Sequence, residues 1–311
     1  MQRNKVSIIT PVLNRKATIE RCIQSVLSQT YDNLEYIIVD GKSTDGTIDI
    51  IEKYQEKITI LISETDTGVY DAINKGIKAS SGDYILILNS DDMLIKEAIE
   101  LSICAIRKEK ADYSAAPAYI VDTSYNVKYI YWPNCFDKSA FIAQNPCAHE
   151  TMLVSRKVYE EVGLYDIRLK IAADLKFELE LIRKEYKVAR LEEPILFFTH
   201  GGLSSNEEKA QEEIVRVLSE FIDLKAEYIN GLVTFVNKGI PNQNTFKAIS
   251  DSHAMEALPN EVLSYLLLNT YNKYLSLKRK IDRVKKHKIL VKIYRLLKEL
   301  RHKLSVIGGK I

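Results

Sequence analysis

Gly82-Asp83-Tyr84-Ile85-Leu86-Ile87-Leu88-Asn89-Ser90-Asp91-Asp92 sets an apolar run between a glycine turn and four polar residues. From Tyr84 to Leu88 no polar residue alternates with the apolar ones, which is the pattern of a strand buried on both faces. Such strands belong to parallel sheets covered by helices. Ligands of those sheets sit beyond the carboxyl ends of the strands, so Asn89 to Asp92 fall where a site is expected.

Working outward, the pattern repeats. Val6 to Thr10 is a short apolar run closed by Pro11, and Ile19, Cys22, Ile23, Val26 and Leu27 then recur at helical spacing. Leu34 to Val39 predicts a second strand ending in Asp40-Gly41. Ser43 to Thr47 supply turn and cap residues for a helix to about Tyr54. Ile58 to Ile62 predicts a third strand, and Gly68 opens a turn into a helix over Tyr70 to Ala79. The fold class is therefore α/β, a Rossmann-like, mostly parallel sheet flanked by helices.

Beyond residue 110 the elements shorten. Strands are expected within Asp112 to Val121, Val127 to Trp132, Lys187 to Leu191 and Ile195 to Thr199, and helices over Arg156 to Val162 and Ala173 to Glu185. From Asn206 the chain reads as helical. The expected division is 1–205 as a catalytic domain (a first half to 110 and a second half from 111), 206–270 as a helical extension, and 271–311 as a basic tail.

Bulk properties narrow the function classes. Hydrophobic residues make up 46% of 311, so a substantial core is available and wholesale disorder is excluded. Cys22, Cys104, Cys135 and Cys147 are scattered without a C-x-x-C pair, which argues against a zinc site or disulfide framework. Each reads as a small core thiol, in keeping with a reducing cytoplasm. No export signal and no apolar run of membrane-spanning length is expected. The net charge of +2 conceals a tail, from Tyr271 onward, with fourteen basic residues against Asp282 and Glu299. Within it, Val284, Ile289, Leu290, Ile293, Leu296, Leu297 and Leu300 fall mostly on one helical face. That suits an interfacial helix on anionic lipid. A surface helix packed on the protein, or a nucleic-acid-binding helix, has the same pattern.

Gly41-Lys42-Ser43 resembles the end of a P-loop, but Tyr36 stands where a glycine is required. No G-x-G-x-x-G follows the first strand, which disfavours a dinucleotide fold. Asp91 and Asp92 repel each other unless solvated or bound to a cation, and hard oxygen ligands at a strand end suit Mg2+ or Mn2+ with diphosphate oxygens completing the shell. Asp92 equally reads as the N-cap of a helix over Ile95 to Ile106.

Four motifs taken together go further. Ser7-Ile8-Ile9-Thr10-Pro11-Val12-Leu13-Asn14, Val39 to Thr47, Ser63 to Gly76 and Gly82 to Asp92, in that order and spacing, closely resemble glycosyltransferase family 2 with the GT-A fold. The resemblance covers roughly residues 5 to 205. It implies an inverting, usually metal-dependent transferase of the kind that builds bacterial capsule, O-antigen and exopolysaccharide. It implies that Thr10, Pro11 and Asn14 line a nucleoside pocket, that Asp40 and Asp66 sit at the base, and that Lys75 reaches the diphosphate. A helix-end lysine and a turn-forming aspartate are the plain alternatives for Lys75 and Asp40. The family's aspartate-any-aspartate motif begins here with Asn89, so Asn89 and Ser90 fall to the ribose side, and Asp91, supported by Asp92, to the metal.

In the second half the resemblance points to Asp174 as catalytic base, removing the acceptor hydroxyl's proton. An acid often follows two residues later, but here that residue is Lys176. Asp174 as a helix cap is the alternative. His200, before paired glycines, is a possible third metal ligand. His149 and Trp132 are acceptor-side candidates, Trp132 by stacking on a sugar, although a lone tryptophan often belongs to a core. The implied partners are a nucleotide-sugar donor, a glycan or polyprenyl-linked acceptor, and an anionic membrane surface bound by 271–311 at the inner face of the cell membrane; nucleic acid is not expected. A sugar nucleotidyltransferase and a non-catalytic nucleotide- or membrane-binding partner are the rival readings. The first lacks its glycine-rich loop, since Pro11 to Arg15 contains no glycine.

Overall fold

The computed structural model describes residues 3–133, 147–199 and 207–238, with a few isolated positions after them. Backbone contacts divide the chain into two units, Met1–Phe221 and Ile222–Ile311. In the second, one helix is described over Ala226–Lys238.

The first unit begins with β1 (Val6–Val12), buried along its whole length. It is followed by α1 (Ile19–Leu27), β2 (Leu34–Asp40), α2 (Thr47–Glu52), β3 (Ile60–Ser63), α3 (Val69–Ala79) and β4 (Tyr84–Ile87). β1 pairs in parallel with β2 on one side and β4 on the other, and β2 pairs in parallel with β3. This is the doubly covered sheet that the continuous apolar runs predicted. α3 lies against β1 closely enough that a Cβ on Gly76 would collide with Ile9 Cγ2.

Next come β5 (Met93–Leu94), α4 (Ala98–Glu109), β6 (Tyr113–Ala115), β7 (Ala118–Val121) and β8 (Val127–Tyr131). The remainder is β9 (Leu153–Ser155), α5 (Arg156–Val162), α6 (Ala173–Arg183), β10 (Val188–Arg190), β11 (Leu196–Thr199) and α7 (Glu207–Phe221). The main sheet has the order β10-β6-β9-β4-β1-β2-β3, and β9 runs antiparallel to both of its neighbours. A second sheet has the order β5-β11-β7-β8.

The structure departs from three expectations. The run Asp112 to Val121 is two strands in two different sheets, because Pro117 between β6 and β7 cannot donate to a continuous ladder. Asp92 does not cap the following helix: β5 intervenes, and α4 starts only at Ala98 with Glu97 before it. Cys104 is exposed on α4 rather than buried, while Cys22 and Cys147 are core thiols as expected; Cys135 lies outside the described residues. α7, which begins after the anticipated boundary near 205, packs on α6 and belongs to the first unit.

At the end of the sheet away from the expected site, Glu35 ties three segments together. Its carboxylate accepts hydrogen bonds from Lys5 Nζ (2.7 Å), Ser7 Oγ (2.6 Å), Ser81 N (2.7 Å) and Ser81 Oγ (2.6 Å). Burial pushes the carboxyl up, but Lys5, Ser7 and Ser81 together bring it down to about 2. A depressed carboxylate stabilises the fold above its unfolded value and loses that contribution as pH falls through its folded value. Glu35→Gln is expected to lower unfolding free energy by about 1–3 kcal/mol at neutral pH. In urea titrations the gap to the native chain should be full above pH 4.5, its ordinary value, and close toward pH 2.

Candidate active site

The carboxyl ends of β1, β4, β7 and β11 open on one cavity of ≈ 810 Å³. Pro11, Arg15 and Asp66 line it from the first half of the chain, together with Asn89, Ser90, Asp91 and Asp92. His149, Glu150, Lys170, Asp174 and Thr199 line it from the second half, and Ala210 and Ile214 of α7 complete it. Residues assigned to opposite substrates by sequence thus share one space.

The donor-side loops are held by their own polar side chains. Asn14 adopts a left-handed backbone (φ 52°) and its Oδ1 accepts Thr44 N at 2.9 Å, while its N–H donates to Ser43 Oγ at 2.8 Å. Asp40 is buried and accepts from Ser43 N at 3.1 Å and Ser63 Oγ at 2.8 Å. Asp66 accepts Gly68 N at 2.9 Å. Its carboxylate lies so near Gly41 that a Cβ there would strike Oδ2. Lys75 sits within α3, where its Nζ holds Thr65 O (2.8 Å) and Glu64 Oε1 (2.9 Å). Thr10 faces the core, with its hydroxyl against Tyr36 Oη and Cys22 Sγ, and so turns away from the cavity.

Asp91 and Asp92 are not equivalent. Asp91 is partly exposed, with Arg15 Nε 3.9 Å from its Oδ2. Asp92 is buried, and its Oδ1 accepts Thr199 N at 2.8 Å. Burial first, then Glu150 and Asp91, pushes the Asp92 carboxyl well above the usual range. Excess negative charge of this kind, on hard oxygen ligands beside a cavity, fits a divalent cation. Among the described residues no three His, Cys, Asp or Glu side chains gather as a ligand set. The carboxylates that could share such an ion from this wall of the cavity are Asp91 and Asp92. His200 lies outside the described residues.

Asp174 stands in the first turn of α6. Its Oδ2 is 3.3 Å from His149 Nδ1, and its Oδ1 accepts Tyr70 Oη at 3.0 Å and Leu175 N at 2.8 Å. Ala172, not Asp174, occupies the cap position of that helix. Burial pushes the Asp174 carboxyl up, but the hydrogen bond and charge of His149 outweigh it and hold the group below its ordinary value. His149 occupies a single 3-10 turn (His149–Thr151) before β9. Burial lowers its basicity, yet Glu150 and Asp174 raise it to about 10. Glu150 in turn accepts a short hydrogen bond from Asn89 Nδ2. Asn89, Glu150, His149 and Asp174 thus form a continuous line from the donor side to the expected base. Trp132 is exposed (55%), so it is not core, and its neighbours Tyr129 and Tyr131 line the cavity.

Several site residues carried only weak sequence signals. Tyr70 and Asn74 are polar residues on the buried face of α3, four apart, which is one helical turn. Asn74 exchanges two hydrogen bonds with the backbone of Tyr165 (2.8 and 3.0 Å), and Tyr70 Oη shares its single proton between Asp174 Oδ1 and Ile171 O, the latter at 2.7 Å. Tyr70 stacks on Tyr165 with ring centres 5.6 Å apart. Glu150 and Lys170 gave no signal, since each resembles any surface charge in sequence.

A mostly parallel sheet flanked by helices, with an acid-lined cavity at the carboxyl ends of its strands, is the architecture of the GT-A fold. The pattern described as "Glycosyl transferase family 2" matches residues 7–163, and the chain belongs to that family. A "PGL/p-HBAD biosynthesis glycosyltransferase" of Mycobacterium bovis is 28% identical over 204 residues, 64% of this chain and 78% of the relative. The "Putative teichuronic acid biosynthesis glycosyltransferase TuaG" of Bacillus subtilis is 28% identical over 212 residues, 66% of this chain and 83% of the relative. Among solved structures, S. aureus TarS 1-349 in complex with UDP-GlcNAc superposes with a TM-score of 0.60 at 19% identity, covering 96% of this chain and 92% of that one. A mannosyltransferase of Pyrobaculum calidifontis in complex with GDP-Man and Mn2+ gives 0.56 at 15% identity, covering 87% and 85%.

His149→Ala removes the cation from between Glu150 and Asp174 and is expected to cost about 3–5 kcal/mol of unfolding free energy. The folded pKa of His149 is raised, so its contribution is complete below its ordinary 6.5 and declines as pH rises to about 10. Chemical denaturation at pH 6, 8 and 10 should show the difference between the two proteins shrinking in that order.

Proposed function

We propose that this protein is an inverting, metal-dependent glycosyltransferase that moves a sugar from a nucleoside-diphosphate sugar, a UDP-sugar, to a hydroxyl of a surface glycan or lipid-linked glycan. The observation that carries the proposal is the joint lining of one cavity by Asn89 to Asp92 and by Asp174 with His149. A GT-A neighbour solved with UDP-GlcNAc and another solved with GDP-Man and Mn2+ support the donor class and the metal. Relatives named for teichuronic acid and PGL/p-HBAD biosynthesis support a surface-glycan acceptor.

In this reading Asp91 and Asp92 would hold Mn2+ or Mg2+, which would supply positive charge against the diphosphate leaving group. Asn89 and Ser90 orient the ribose, and Pro11 with Asp66 bounds the nucleoside. Asp174 accepts the proton of the acceptor hydroxyl as its oxygen bonds to the anomeric carbon. The bond from that carbon to the diphosphate breaks, and its electron pair leaves with the nucleoside diphosphate. His149, bonded to Asp174 Oδ2, keeps the base ionised at neutral pH. Tyr129 and Tyr131 offer apolar ring faces to the acceptor sugar.

UDP release from UDP-sugars, followed with and without Mn2+, tests the assignment. Asp174→Asn should lower kcat by about 10²–10⁴-fold while UDP binding persists, and Asp91→Ala should abolish the Mn2+-dependent part. No release from any UDP- or GDP-sugar would favour a non-catalytic binder.

The tail lies outside the described residues, and its membrane role rests on sequence alone. No helix among the described residues is long and apolar enough to cross a bilayer. In flotation on vesicles containing anionic lipid, the full chain should float and a chain ending at 270 should not; equal flotation would exclude the tail as the anchor.

A further inference from the structure

The loop immediately before α6 is fixed from outside by a side chain of α7. Glu213 Oε2 accepts the backbone N–H groups of Ile171 (2.8 Å) and Ala172 (3.0 Å), and both of its oxygens accept that of Lys170 (2.9 and 3.0 Å). Three consecutive amides thus converge on one carboxylate, a concave nest of the kind that backbone donors form around anions. Each of these residues has a second task. Lys170 Nζ donates to Thr67 O (2.6 Å), which pins the loop to the segment carrying Asp66. Ile171 O accepts Tyr70 Oη, whose other partner is Asp174. Ala172 O accepts the first α6 hydrogen bond, from Lys176 N at 3.1 Å. α7 is held a second time where Glu220 Oε2 meets Lys176 Nζ at 2.6 Å.

We infer that Glu213 is a positioning residue for Asp174. It sets the height and direction of the first turn of α6, and with it the distance between the Asp174 carboxylate and the donor side. The inference rests on reading Asp174 as the base. Glu213 touches no substrate in this arrangement. Its influence passes through the 170–172 backbone and Tyr70, and misplacement of a reacting group by about 1 Å can cost 10²-fold in rate. Glutamine at 213 retains one carbonyl oxygen for the Ile171 and Ala172 amides and loses the second acceptor facing Lys170. Alanine loses all of them.

The test uses the full chain and two readouts. In hydrogen exchange, the amides of 170–172 should exchange at least about 10-fold faster in Glu213→Ala, with β1 and β4 unchanged and Glu213→Gln intermediate. In UDP release with Mn2+, Glu213→Ala should lose about 10–100-fold in kcat at a donor KM within about twofold of native. Glu213→Gln should recover most of that kcat. Unchanged exchange at 170–172 overturns the clasp. Faster exchange with unchanged kcat, or a donor KM that rises in step with the loss, overturns the positioning role, because general loosening of the cavity would weaken donor binding too. If the native chain releases no nucleoside diphosphate, the functional reading fails, and the exchange measurement still decides whether Glu213 orders the loop.

Discussion

The ion pair between Asp174 and His149 is the interaction on which the site depends. Asp92, Glu150 and Glu178 are buried acids and Asp174 is largely enclosed, and burial alone would drive each toward its neutral form. Burial, joined by Asp174, pushes Glu178 well above the usual carboxylate range, and Glu150 is raised by burial against the pull of His149. Asp174 escapes because the hydrogen-bonded imidazolium lies against it. One cation thus separates an ionised carboxylate from neighbours held back from ionisation. That separation gives chemically similar groups different roles.

The sheet explains why so much charge collects in one place. β1, β2, β3 and β4 run parallel, so their carboxyl ends deliver Pro11, the Asp40 loop, the Asp66 loop and Asn89 to Asp92 to the same edge. β9 enters antiparallel between β4 and β6, and the turn before it brings His149 and Glu150 to that edge from the other direction. α3 joins the two sets. Gly76 lets it lie flat on β1, while Tyr70 and Asn74 reach across to the segment that leads into α6.

The elements before residue 110 were legible in the sequence because buried parallel strands and amphipathic helices leave strong apolar patterns. The positions of Asn89 to Asp92 and Asp174 at element ends were legible for the same reason. What escaped was the pairing of distant polar residues. Asp92 has the sequence of a cap, yet its partner is Thr199 N, more than a hundred residues away and invisible to local reasoning. Asn14, Asp40 and Lys75 carry motif signals, but their hydrogen bonds go to neighbouring loops, so the motif preserves loop shape as well as any ligand contact. Glu150 looked like an ordinary charge because its burial is created by the return of β9.

Lys176, where the resemblance led to an acid, shapes the architecture around it. An acid there would add to the negative charge near Asp174 and Glu178. The lysine instead turns away to Asp166 Oδ2 at 3.0 Å and Glu220 Oε2 at 2.6 Å. It adds no like charge beside Asp174 and gives α7 a point of attachment on α6. α7 then contributes Ala210 and Ile214 to the cavity wall and Glu213 to the loop before Asp174. α7, which falls in the segment read from sequence as a helical extension, lies in the first unit with α6. Lys176 thus secures, through Glu220, the helix that carries Glu213.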